Sequence, residues 1–358
     1  MTLLLLGNEP MNYAWGSDHL IQDLTGLGVE GEPAAELWFG AHKTAPSKIL
    51  SGGEGLLSDL HPDLGFLVKF LAAQKPLSIQ AHPSKARAEN QFALGHKSYS
   101  DANHKPEMII AVTDFEALCG FRPETEIESD LAALAETSFE FGQLQQSFVT
   151  GGLEAAVAKA FEKNLANELH ANLGALSRSR VQLYLSLAEH FEGDVGLVIG
   201  TLFLNHIRLA PKDALYLPAG NIHAYLKGLG VEVMASSDNV LRGGLTPKPI
   251  DVPELMAVLD FSPLANPRVD TKELVNGLVA YPADVEDFSV YGVEVAAHNM
   301  LIDLELKGSM ILVCVSGELE VSTSKDEFLK VSKGQACFVS DARLFSITGS
   351  GSGYLAMG

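Results

Sequence analysis

Short apolar runs, broken by glycine and proline, occupy the first third of the chain. ELWFGAH (36–42), FLVKFLAA (66–73), PLSIQAHP (76–83) and EMIIAVT (107–113) each have the length and residue types of a strand. The texture changes over 123–195. SDLAALAETSF, GGLEAAVAKAFEKNLANELHANLGAL and SRSRVQLYLSLAEHF are rich in Ala and Leu and space apolar residues by three and four, as at Leu153, Ala156 and Ala160. That period predicts amphipathic helices. Strand texture returns near 200 with FLNHIRL, ALYLPAG and VEVMASS. It dominates 299–358 through NMLIDLEL, MILVCVSGELEVS, FLKVS, QACFVSD and RLFSITG. The stretch 247–267, with its prolines, predicts a connector holding one short helix. A helical segment inserted into a mainly β protein is the expectation.

Two segments echo one another. LAPKDALYLPAGNIHAYLKG (209–228) runs from a turn into a strand, then Pro218-Ala219-Gly220-Asn221-Ile222-His223. LKVSKGQACFVSDARLFSITG (329–349) repeats the layout with Phe345 where His223 stands. The first resembles the second motif of cupin jelly rolls, in which P-x-G turns a corner and His points into the barrel. Phenylalanine binds no metal, so the second copy is expected only to pack. This predicts a mainly β fold of two cupin-like jelly-roll domains with an inserted α-helical domain. Residues 1–122 plus 196–260 would form the site-bearing jelly roll, 123–195 the helical insert, and 261–358 a degenerate cupin-like β domain. Taken alone, His223 could equally be a hydrogen-bonded turn histidine.

Charge narrows the partners. Lys and Arg total 25 against 45 Asp and Glu, a formal charge of −20. A broad nucleic-acid or anionic-membrane surface needs clustered positive charge and is excluded on that ground. A small anionic substrate remains open if lysines and arginines cluster locally. Cys119, Cys314 and Cys337 are too few and scattered for a disulfide framework or thiolate zinc site. The apolar run Leu3 to Leu6 is too short for a signal peptide or a membrane span. A cytoplasmic protein is expected, with monomer as the default state.

One set of polar residues sits where strands should be apolar. In SIQAHPSK, alternation puts Ser78, Gln80 and His82 on one face and Ile79 and Ala81 on the other. Glu107 opens a strand whose face it shares with Ile109 and Ala111, and Pro106 suits a strand start. Polar groups on the inner face of a small barrel are costly unless they bind something. Gln80, His82, Glu107 and His223 would offer two nitrogen and two oxygen ligands, a set that suits Zn²⁺ and is tolerated by Mn²⁺, Fe²⁺ or Co²⁺. A hydrogen-bonded polar plug is the competing reading. His170 and His190 in the helical stretch, and the isolated His19, His42, His61 and His298, are read as surface or packing residues.

Longer segments carry a family resemblance. MNYAWGS (11–17), ELWFGAH (36–42), PLSIQAHP (76–83), NHKPEM (103–108), FEALCGFRP (115–123), IHAYLKG (222–228) and VEVMASSDNVLRGGLTPKPIDVPEL (231–255) stand in the order seen in type I phosphomannose (mannose-6-phosphate) isomerases. The chain resembles that family over its N-terminal third and the 200–255 region, while the insert and C-terminal part match by texture. Lys212 and Lys227 replace the Gly and Asn that many cupins have around P-x-G-x-x-H. The resemblance implies one zinc per chain at Gln80, His82, Glu107 and His223. It also implies a pocket lined by Lys105, Glu232, Asp238, Arg242 and Lys248, with Ser78 and Lys248 near the phosphate. The implied reaction interconverts D-mannose 6-phosphate and D-fructose 6-phosphate through a cis-enediol. Arg242 is a fork donor suited to an enediolate or phosphate. Glu232, between Val231 and Val233, should point into the barrel with a raised pKa and act as base, with Asp238 assisting and Lys105 as rival. Trp15, Trp38 and Glu36 are expected to shape the core and the substrate-facing wall. A different metal-dependent cupin enzyme and a non-catalytic sugar-phosphate-binding cupin are the alternatives.

Overall fold

The computed structural model describes residues 2–275, 277–296, 301–306, 308–324 and 327–358. Its strands are antiparallel and form two sheets, of nine and ten strands among the described residues. The nine-stranded sheet folds into two walls that pack face to face and carries the predicted polar set. His223–Ala235 is its spine. The first part of this strand pairs with Ile79–Ala81 and Phe115–Phe121. The second part pairs with Phe66–Ala73 and Glu107–Ala111. The change of partner falls at a register shift between Tyr225 and Lys227, beside Gly228. Gly228 has φ +122°, and a Cβ there would lie 2.5 Å from the Asp114 carbonyl oxygen, so glycine lets one strand serve both walls.

Alternation sets what each face meets. Inside the barrel, Leu71, Ile109, Ala111, Phe115, Ala117, Cys119, Leu215 and Tyr225 form an apolar plug. Outward on one wall, Val68, Phe70, Met108, Ile110, Val231 and Val233 pack against the second sheet. Outward on the other, Ile79, Ala81, Leu118, Phe121, Ile222 and Ala224 pack against the helices. The barrel is therefore covered on both sides, and the outward faces of its walls are apolar where they are covered.

The helices Glu124–Ala135, Phe139–Lys163, Ala166–Ala171 and Arg178–Ala188 occupy the predicted stretch. Ser138 and Ser177 accept hydrogen bonds from the backbone N–H three residues on, as N-caps do. Leu153, Ala156 and Ala160 are buried as their spacing predicts. The expected short helix in the connector is Val252–Val258. None of the helices among the described residues is long and apolar enough to cross a membrane.

The ten-stranded sheet gathers the C-terminal strands, including Ser309–Ser324, Ala336–Ser340 and Leu344–Met357. Phe345 is buried among Leu312, Leu319, Val331 and Leu355, so the echo of the His223 motif serves packing alone. Part of the run NMLIDLEL, and with it His298, lies outside the described residues, while Leu301–Glu305 is a strand as expected. Thr2–Gly7 pairs with Ala336–Ser340 and with Lys48–Ser51 and so belongs to this ten-stranded sheet. Leu4 and Leu6 cover the face of the second sheet that looks at the barrel, and a run of leucines does not reveal which sheet edge it completes. The three cysteines are buried and unpaired.

Candidate metal centre

Ile79–Ala81 turns Ile79 and Ala81 toward the helices, so Gln80 and His82 face the barrel. His223 stands opposite Gln80 in the ladder, which places the two side chains on one face. Glu107 arrives from the other wall, followed on the inner face by Ile109. The Pro218–Gly220 corner carries His223 inward. Gly220 has φ +80°, and a Cβ there would meet the Val258 carbonyl oxygen at 3.0 Å. One nitrogen from each of His82 and His223 and one Glu107 oxygen lie within 4.8 Å of one another, all buried.

The hydrogen bonds state which atoms are free. His82 donates Nδ1–H to the Asn239 carbonyl at 2.7 Å, and His223 donates Nδ1–H to the Asn221 carbonyl at 3.1 Å. A carbonyl can only accept, so each ring keeps its Nε2 lone pair for the cluster. Both Nε2 atoms lie 3.3 Å from Glu107 Oε2. His82 Nε2 and Glu107 Oε2 are buried without a hydrogen-bond partner. Lone pairs facing one another in a dry interior repel unless a cation stands between them. The Gln80 amide nitrogen lies 3.3 Å from His223 Nε2, and a half-turn of that amide presents its oxygen instead. These residues therefore fit a divalent cation better than a polar plug.

Burial lowers the His82 pKa to about 4, with Lys105 adding and Glu107 opposing, so the ring is neutral and able to ligate. Burial would raise the Glu107 carboxyl, but it is held well below the usual range, the Lys105 ammonium being the largest opposing influence. Lys105 Nζ lies 3.0 Å from Glu107 Oε1.

A second charged group lies deeper on the same inner face. Lys69 stands opposite both Glu232 and Trp38 in the ladders. Its ammonium lies 2.5 Å from Glu232 Oε2, 3.1 Å from Glu36 Oε1 and 5.5 Å from the centre of the Trp38 ring. Tyr225 donates its hydroxyl to Glu232 Oε1 at 2.6 Å, and Trp38 donates Nε1–H to Glu36 Oε2 at 3.1 Å. Burial raises the Glu232 pKa against the pull of Lys69, and Glu107 raises it further. Burial pulls the Lys69 ammonium down, but Glu232 and Glu36 prevail and hold it above its ordinary value. The sequence reading placed Glu232 inward and passed over Lys69, Tyr225 and the ion pair of Glu36. A single lysine inside the apolar run FLVKFLAA was the available signal.

Around the opening the expected residues separate. Arg242 pairs with Gln80 across the ladder and so shares its face. It is half-buried, burial lowers its pKa, and it has no ion-pair partner among the described residues. Asp238 is half-exposed, and its hydrogen bond to His42 keeps its carboxyl low. His42, read as a surface or packing residue, is buried edge-on against Trp38 at 5.0 Å with Nε2 3.4 Å from Asp238. Both line a cleft of about 1310 Å³ together with Lys43, Lys85 and His104. Ser78 is half-buried two residues before Gln80, and Lys248 is exposed with no ion pair among the described residues. Trp15 packs at the edge of the barrel plug and stacks on Tyr13 at 5.7 Å.

Two antiparallel walls sharing one strand, with a buried His–Glu–His cluster between them and a lysine beside it, define a cupin-type enzyme fold with a candidate metal site. Residues 3–124 match the catalytic domain of phosphomannose isomerase type I, and residues 278–356 match the cupin domain of mannose-6-phosphate isomerase. The mannose-6-phosphate isomerase of Salmonella typhimurium is 33% identical, over 98% of this chain and 97% of its own. The human mannose-6-phosphate isomerase is 34% identical, over 82% of this chain and 81% of its own. A crystal structure of a phosphomannose isomerase variant from Salmonella typhimurium superposes with a TM-score of 0.91 at 31% identity, covering 100% of this chain and 99% of that one. A mannose 6-phosphate isomerase bound with zinc and yttrium gives a TM-score of 0.89, at 31% identity and the same coverage. The chain belongs to the type I mannose-6-phosphate isomerase family and is an isomerase.

Proposed function

We propose that the chain interconverts D-mannose 6-phosphate and D-fructose 6-phosphate as a zinc-dependent aldose-ketose isomerase, moving a proton between C2 and C1 through a cis-enediol. The observation that carries this reading is the convergence of His82, Glu107 and His223, with two buried ligand atoms lacking partners, beside Lys105 and on the face shared with Gln80 and Arg242. Gln80, His82, Glu107 and His223 would hold one Zn²⁺, which supplies Lewis acidity toward substrate oxygens when bound. Two nitrogen and two oxygen donors in a dry pocket suit that ion.

The remaining work falls to the chain. Glu232 takes the proton from one carbon and returns it to the other. Burial raises its pKa, which favours proton uptake, and the Tyr225 and Lys69 contacts hold it in place. Arg242, unpaired and half-buried, stabilises the enediolate oxygens by a charge-assisted fork. Lys105 adds positive charge beside the reacting carbons. Asp238, ionised beside His42, accepts hydrogen bonds from substrate hydroxyls. Lys248 and Ser78 bind the phosphate, and Trp15 forms part of the sugar-facing wall. Grip on the remote phosphate helps to orient C1 and C2.

A coupled assay that follows fructose 6-phosphate formed from mannose 6-phosphate, before and after chelation, tests the proposal. Turnover abolished by chelator and restored by Zn²⁺ supports it. Chelator-resistant turnover removes the metal, and no turnover at all leaves a sugar-phosphate-binding protein.

A further inference from the structure

Asn239 lies on the turn between His223–Ala235 and Leu241–Gly244 and is wholly buried. Every polar atom of its side chain is used. Nδ2 donates to the Asn103 carbonyl at 2.8 Å, the Asp101 carbonyl at 2.9 Å and Asp101 Oδ1 at 3.2 Å. Oδ1 accepts from the backbone N–H of Ser100 at 2.8 Å and of Asp101 at 3.4 Å. Its own backbone N–H donates to Ser237 Oγ, whose hydroxyl donates to Asp101 Oδ1 at 2.9 Å. Its carbonyl accepts Nδ1–H of His82 at 2.7 Å, a shorter bond than the 3.1 Å one from His223 to Asn221.

This amide therefore joins three segments. The loop over 100–103 runs directly into Lys105 and Glu107. The turn holding Asn239 runs into Arg242. The carbonyl touches His82. We infer that Asn239 is a positioning residue of the metal centre. Its side chain clamps the 100–103 loop, so that its own carbonyl stands where it selects the tautomer and sets the ring plane of His82. Only an amide fits, because three acceptors face one end and two donors face the other. Aspartate has the same shape but would set an oxygen against three oxygens. The inference rests on the reading that His82 is a metal ligand.

A control lies nearby. Tyr99 adjoins Ser100 and donates to Glu254 Oε1 at 2.5 Å, and Arg87 grips Glu254 with two bonds of 2.7 Å. Tyr99→Phe loosens the same wall without touching Asn239.

The test uses the full chain, unsubstituted and as Asn239→Asp, Asn239→Ser and Tyr99→Phe, each stripped of metal and reloaded. Zinc affinity is read by competition with a chromophoric chelator, ring geometry by the visible absorption of the Co²⁺-loaded protein, and stability by thermal unfolding. Asn239→Asp should weaken zinc by about 10–100-fold, the range for losing an outer partner of a ligand histidine, and shift the cobalt bands. Tyr99→Phe should lower the unfolding temperature and leave both metal readouts unchanged. Asn239→Ser, which loses the clamp without like-charge contacts, should move the metal readouts the same way, and it decides the matter if the aspartate variant does not fold. Asn239 variants that hold zinc as tightly as Tyr99→Phe at equal thermal stability overturn the inference. If the unsubstituted chain itself does not retain zinc, the metal reading fails and the inference falls with it.

Discussion

At the scale of single residues, the barrel interior holds more charge than its small size would suggest, and each charge has a partner. Lys69 neutralises two buried carboxylates. Removing it leaves Glu36 and Glu232 facing each other in a dry site. Lys69→Met is expected to cost about 3–5 kcal/mol in urea unfolding, the usual scale for breaking a buried ion pair from one side. A change within ±0.5 kcal/mol would show the cluster is wetter than it looks. Arg242→Ala should lose most turnover while bound metal stays at the unsubstituted level, since Arg242 supplies no atom to the cluster. An unchanged kcat would remove Arg242 from the reaction. Glu107→Ala or His223→Ala should instead lower metal content, measured by elemental analysis of the purified variants. The residues best legible in sequence were those whose alternation conflicted with a buried strand, Gln80, His82 and Glu107. Lys69 conflicts in the same way but finds Glu36 and Glu232 on strands distant in the chain, and nothing local foretells that pairing. His42 reads in sequence only as an isolated surface or packing residue, because Asp238 and Trp38 meet it only in the fold.

At the scale of elements, one strand does the work of two. His223–Ala235 carries His223 at one end and Glu232 near the other, so the metal cluster and the Lys69 group are held at fixed spacing by a single backbone. The bend that permits this depends on Gly228. Gly228→Ala combines an unfavourable φ with contact against the Asp114 carbonyl oxygen, and should destabilise the protein by about 1–3 kcal/mol or more. Thermal unfolding measures that directly, and a neutral result would show that the bend tolerates a side chain. The order of strands and helices was readable from periodicity, because burial on one face imposes a period of two in strands and of 3.6 in helices. The double pairing of one strand was not readable, since a change of partner leaves the alternation almost intact.

For the whole molecule, acid should act through the interior. The fold holds His82 neutral down to about pH 4, whereas in the unfolded chain it protonates near 6.5. Between those values the unfolded state binds more protons, so stability present above pH 6.5 is lost as pH falls through the window. Glu107, also depressed, extends the loss at lower pH. The metal-free protein should therefore lose thermal stability steadily from pH 6.5 to 4. Zinc in excess should oppose the loss, by about 2.7 kcal/mol at a hundred times its dissociation constant. A flat profile over that range would contradict the burial of neutral His82.

Thr2–Gly7 finds its partner in Ala336–Ser340, some 330 residues along the chain. A ribosome must therefore deliver nearly the entire protein before both edges of that leucine-rich ribbon can be zipped in. Cutting the gene after the helical connector would leave the ribbon paired on one side only, by Lys48–Ser51. Such a fragment, though it keeps every candidate metal ligand, should clump on expression and dissolve only once the missing C-terminal strands are supplied alongside it.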